Sequence, residues 1–174
     1  MTIQAGDAGA ASWLLRSGAD WWDLVRFGPP GYDIYARVQL SAESDRVGAA
    51  LTTLTSCTAA TTGFAAVWEG WTSTATMPEA PRIEIPHRTM LLFTGPVTAL
   101  RNAPALAWYG SADVAQEPHL VWPEDRAWCL ACEVDEEIEF TVGCSADAFE
   151  ALETALPGLV RRVGYGEQLP LYRS

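Results

Sequence analysis

The chain contains no lysine and only two histidines, and its eleven basic residues, all arginine, stand against 22 acidic ones, a formal net charge of −11 over 174 residues. A surface so poor in positive charge repels phosphate backbones and anionic lipid, which disfavours direct nucleic-acid and membrane-surface binding. No apolar run approaches the roughly 20 residues needed to cross a bilayer. Met1 to Ala11 shows no basic stretch followed by an apolar core, so no secretory signal is expected. The expected location is the cytoplasm, where the four cysteines stay reduced. Neither His87 nor His119 belongs to an H-E-x-x-H spacing, and no G-x-S-x-G elbow, P-loop or dinucleotide fingerprint occurs. Neither a metal nor a cofactor is expected.

Hydrophobic residues make up 49% and charged ones 19%, which argues for a folded core. The length suits one domain over residues 1–174, and the absence of repeats or linkers agrees. The densest stretch is Trp122-Pro-Glu-Asp-Arg-Ala-Trp128, where two indoles, a proline, two carboxylates and a guanidinium fall within seven residues. From Trp128 to Val142 the even positions are apolar with one fault, Glu136, and the odd ones include Glu133, Asp135, Glu137, Glu139 and Thr141. That period of two describes a strand with a dry and a negative face. A carboxylate at an inward position must be paired, hydrogen-bonded or placed where the strand stops. The spacing predicts two strands joined by a turn at Asp135-Glu136-Glu137, or one strand broken there by a bulge.

The rest of the chain alternates helical and extended signals. Short helices are expected over Ala8–Ser17 and, capped by Asp20, over Trp21–Phe27, with Gly28-Pro-Pro-Gly31 as the stop. Trp22 points away from the Trp21, Leu24, Val25 face and reads as an exposed anchor. Strands are expected over Tyr32–Leu40, Phe64–Trp68, Arg88–Thr94, His119–Trp122 and Leu159–Val163. Between them, Asp45 and Ser145 cap helices, Pro96 opens a short one, and Trp71 to Ile85 is a loop. Trp122 and Trp128 stand at the neck of a hairpin-like unit and clamp its turn. The fold class is α+β, a mainly antiparallel sheet with packed helices.

Several groups invite a chemical reading. His119 lies six residues before Asp125, near enough for an orienting hydrogen bond or for general-base work, and with Glu133 the two define an alternative small-ligand or hydrolase pocket. Cys129-Leu-Ala-Cys132 matches C-x-x-C, but on a strand positions i and i+3 face opposite ways, so the thiols diverge and all four cysteines read as structural. Arg126 either pairs with Asp125 or stacks on Trp128. The acidic set Glu133, Asp135, Glu136, Glu137 and Glu139 lacks the companions of a calcium loop or a glycosidase pair, so it reads as a solvated negative face.

Eight tryptophans exceed what core filling usually requires, and exposed aromatics beside acid are what interfaces are built from. The expected site is therefore a surface for a protein partner. Trp22, Trp71, Trp108 and Tyr109 supply anchors, and the turn Trp122, Glu124, Asp125 and Arg126 with Glu133, Asp135, Glu136, Glu137 and Glu139 supplies charge, with no catalytic residue assigned.

Trp122-Pro-Glu-Asp-Arg-Ala-Trp128-Cys, the following Glu133-Val-Asp135, and the pieces Phe27-Gly-Pro29, Tyr35-Ala-Arg37 and Pro86-His-Arg88 resemble a set of small actinobacterial proteins with a WP-x-DRAW core. In size and acidity the chain is also similar to the immunity factor of the tuberculosis necrotizing toxin, a secreted NAD-hydrolysing enzyme. That likeness implies a cytoplasmic inhibitor that covers the toxin's NAD pocket, with a basic toxin domain as the partner. An acidic surface speeds encounter with such a domain and aromatic anchors slow departure.

Overall fold

The computed structural model describes residues 3–70, 77–103, 106 and 117–174. Among the described residues nine strands form one antiparallel sheet: β1 (Gln4–Ala5), β2 (Ile34–Gln39), β3 (Thr62–Trp68), β4 (Arg82–Ile83), β5 (Met90–Pro96), β6 (Leu120–Pro123), β7 (Cys129–Ala131), β8 (Glu139–Cys144) and β9 (Val160–Val163). Their order is β1-β5-β3-β6-β7-β8-β2-β9, with β4 also pairing β5. Among the described residues lie the helices α1 (Ser12–Leu15), α2 (Trp21–Phe27), α3 (Arg46–Leu54) and α4 (Ala146–Ala155), and 3-10 turns at Ala8–Ala11, Thr55–Cys57 and Val97–Asn102. The α+β architecture expected from the patterning is the one observed.

Both faces of the sheet are covered, which explains why some strands are apolar throughout instead of alternating. In β5, Leu91 and Phe93 pack on one face with α3, α4 and the Val97–Asn102 turn, while Met90 and Leu92 pack on the other with α1 and α2. The caps predicted for the helices form. Asp20, Asp45 and Ser145 accept from the backbone N–H of Trp22, Gly48 and Ala148 respectively.

The run after Trp128 divides into β7 and β8, with a turn over 132–138 between them, so the two-strand alternative holds. Cys129 and Cys132 fall on opposite faces as expected, and all four cysteines are free thiols. The expectation that two indoles clamp one turn is overturned, because Trp122 and Trp128 also lie on opposite faces. Trp122 stacks on Phe64 at 5.5 Å, whereas the Trp128 indole N–H donates to the Leu54 carbonyl at the end of α3, 2.9 Å away.

The second face changes character along the sheet. Under α1 and α2 it is apolar, through Ala66, Leu120, Trp122 and Ala131. Toward β2 and β8 the residues facing that way are Arg37, Glu139 and Thr141, all buried. What covers them is the end of α2 and the C-terminal segment 164–174. The Tyr165 hydroxyl donates to the Gly28 carbonyl at 2.8 Å, and the Glu137 N–H donates to the Leu171 carbonyl at 2.9 Å.

Candidate functional site

Helix α2 is held by its sequence at both ends. Asp20 caps it, and Gly28 ends it with φ 75° and ψ −166°, a conformation only glycine adopts readily. Trp22 and Arg26 stand four residues apart and therefore share a helix face, the guanidinium carbon 5.5 Å from the indole centroid.

Arg26 is 3% exposed and starts a buried chain of charge. Its Nε donates to Glu136 at 2.8 Å and its Nη1 to the Leu169 carbonyl at 2.8 Å, while its Nη2 has no acceptor. Glu136 also receives Arg37 Nη1 and Nη2, each at 3.2 Å. Arg37, with no exposed surface, donates through Nε to Glu139 at 3.1 Å and through Nη1 to Thr141 at 3.0 Å. Glu139 is finally clasped by Arg161 at 2.9 and 3.0 Å. Burial alone would raise the Glu139 carboxyl, but the bonds from Arg161 and Arg37 outweigh it and hold the group below the usual carboxylate range. Charges this deep persist only when each is met by its opposite and by hydrogen bonds.

Two clefts flank α2. One, about 580 Å³, lies between the helix and the C-terminal segment, and Trp22, Asp23, Arg26, Glu167, Leu169 and Tyr172 are among its walls. The other, about 490 Å³, is lined by Leu15, Ala19, Asp20, Trp21, Leu24, Glu84, Ile85 and Pro86. Trp21 belongs to one cleft and Trp22 to the other, their rings edge-on at 5.3 Å. His87, with φ 65°, places its ring 4.8 Å from Trp21 beside the second cleft.

No family model, curated protein or solved structure matches the chain.

The expected partner surface is partly dismantled by this geometry. Glu133, Glu136 and Glu139 do not form a solvated negative face. Glu133 is buried against Arg88, and the other two belong to the chain of charge just described. Trp122 is 1% exposed and offers no anchor. What remains outward of that set is Glu124, Asp125 and Arg126 at the β6–β7 turn, with Asp135 and Glu137 in the turn before β8. Trp22 is half-buried and lines a cleft, so it stands at the site in a different role from a free anchor. Trp71, Trp108 and Tyr109 lie outside the described residues.

The alternative pocket is not assembled. His119 is buried and its Nδ1 accepts the Trp68 N–H at 2.8 Å, while Asp125 accepts from the Thr58 hydroxyl and from the N–H groups of Ala59 and Ala127. The expected His119–Asp125 hydrogen bond is therefore replaced by two unrelated sets of partners. Burial, with the nearby Arg88 charge, lowers the His119 pKa to about 4, so the ring is neutral at ordinary pH. Arg126 makes neither the expected pair with Asp125 nor the expected stack on Trp128. Its guanidinium lies over Trp13, 5.0 Å from the ring centroid, with its backbone at φ 59°.

Sequence reasoning missed Trp21, Arg26, Arg37 and Tyr172. The i, i+4 spacing of Trp22 and Arg26 was a usable signal, and the Glu136 fault announced that a cation had to be near. Which arginine it would be depended on strand order, which patterning does not encode.

Proposed function

We propose that the protein is a non-catalytic binding protein of the immunity-factor kind, capturing a basic protein partner on the surface around α2. The observation that carries this reading is the cleft of about 490 Å³ in which the apolar Trp21, Leu24 and Ile85 share the walls with the exposed carboxylates of Asp20 and Glu84. An aromatic and aliphatic slot gives a docked side chain slow departure, and carboxylates beside it speed the approach of a basic surface.

The distribution of charge favours the same partner. Arg26, Arg37, Arg82, Arg88, Arg101 and Arg161 are all engaged in ion pairs within the chain, so the acidic excess is carried by outward carboxylates such as Glu79, Glu84, Glu150 and Glu153. Several groups suited to chemistry are engaged or buried, although His87 is exposed beside the Trp21 cleft. Burial raises the thiol pKa of Cys129 and Cys132 far above neutrality, and that of Cys144 to about 12, while His119 is committed to a backbone N–H. The likeness to the immunity factor makes the partner a secreted NAD-hydrolysing toxin domain, neutralised in the cytoplasm by occlusion of its NAD pocket.

The test is to mix the purified chain with the protein encoded by the adjacent reading frame, following complex formation by size-exclusion chromatography and NAD hydrolysis by absorbance. A one-to-one complex without hydrolysis is expected, weakened at least ten-fold by Trp21→Ala or Glu84→Arg. Neither complex nor inhibition would remove the reading.

A further inference from the structure

The larger cleft asks its occupant for something different. Arg26 lines it, and one guanidinium nitrogen, Nη2, is buried without an acceptor although Nε and Nη1 are both engaged. Enclosed as it is, that donor is out of an occupant's reach, so the charges and rings of the walls decide what fits. A second full negative charge is not what the site needs. The buried cations Arg26 and Arg37 already face the carboxylates Glu136 and Glu139, and the charge of Arg161 is half-exposed to solvent. Asp23 and Glu167 also line the cleft and repel an anion while attracting a cation. Trp22 and Tyr172 add aromatic faces against which a guanidinium or ammonium stem packs. The space, about 580 Å³, falls in the ordinary range for ligand pockets.

We infer that this cleft receives a basic peptide segment of the protein partner. An arginine or lysine side chain of that segment lies along Trp22 and Tyr172 toward Asp23 and Glu167. The inference rests on the binding-protein reading and specifies what part of the partner enters.

The experiment is an NMR titration of the full chain with N-acetyl-Gly-Arg-Gly-amide and, separately, N-acetyl-Gly-Glu-Gly-amide. The Trp22 indole N–H and the Arg26 Nε–H are followed. The arginyl peptide is expected to shift both signals saturably, the Asp23→Asn variant to weaken it at least five-fold, and the glutamyl peptide to leave them in place. Equal shifts from the two peptides, unchanged affinity in Asp23→Asn, or no saturable shift up to the solubility of the arginyl peptide would overturn the proposal. If the toxin-domain complex forms while the peptide fails, only this inference falls. If the peptide binds in the cleft while no protein complex forms, the partner reading falls and the chemistry of the cleft stands.

Discussion

Arg37 shows how one side chain can escape a pattern-based reading. Alternation along Tyr32–Leu40 places it on the polar face, and it does point away from Ala36 and Val38, yet that face is roofed by α2 and the C-terminal segment, so the guanidinium has no exposed surface. Removing one partner of a buried pair leaves the other charge stranded, and Arg37→Ala is expected to cost about 3–5 kcal/mol, read by urea denaturation. Glu136 was legible as a carboxylate in need of a partner, because one acid interrupts an otherwise apolar series. Glu133 was not, since it occupies a position that alternation assigns to solvent. His119 carries a pH prediction. In the unfolded chain it protonates near 6.5, whereas in the fold it stays neutral to about pH 4. The unfolded state binds the extra proton across that window, so stability falls as pH drops through it, by about 3 kcal/mol in all. His119→Gln should flatten the upper part of the slope in denaturation curves between pH 6.5 and 4.5, above the range in which the Glu139 carboxyl titrates.

Helices and strands were more legible than their surroundings, because caps and breakers act within a few residues. Asp20, Asp45 and Ser145 cap where a short acceptor side chain precedes an apolar face, and Pro96 precedes a 3-10 turn. Gly28 combines two local demands: its φ of 75° suits glycine alone, and a Cβ there would stand 3.1 Å from the Cys129 sulfur. Gly28→Ala should therefore cost about 1–3 kcal/mol and shift the far end of α2, measured by thermal unfolding and by the loss of the Tyr165 hydroxyl bond in NMR spectra. At the end of α3, Trp128→Phe keeps most of the ring but leaves the Leu54 carbonyl without its donor, an expected loss of about 1–3 kcal/mol in the same assay. What no local rule supplied was the side of the sheet on which each element lands. Trp122 and Trp128, near neighbours in sequence, face opposite layers, and the supposed clamp fails for that reason alone.

For the molecule as a whole, the sheet order decides what meets. β2 lies between β8 and β9, so residues 34–39 pair with 139–144 across a hundred residues of chain, and only that closure brings Arg37 to Glu139. Patterning established that a sheet exists and not which strands adjoin, which is why the charge was assigned outward. With six of the eleven arginines engaged in internal ion pairs, the attraction to the proposed basic partner should be strong at low ionic strength. The association rate is expected to fall at least ten-fold between about 20 and 500 mM salt in stopped-flow measurements, with dissociation little changed. The lateral margins of the sheet add a different constraint. On one flank β1 and β4 each offer two residues, and on the other β9 offers four, two of them the arginines Arg161 and Arg162. Among the described residues, such stubby, charged borders leave an incoming chain little ladder to extend, which disfavours edge-to-edge polymerisation.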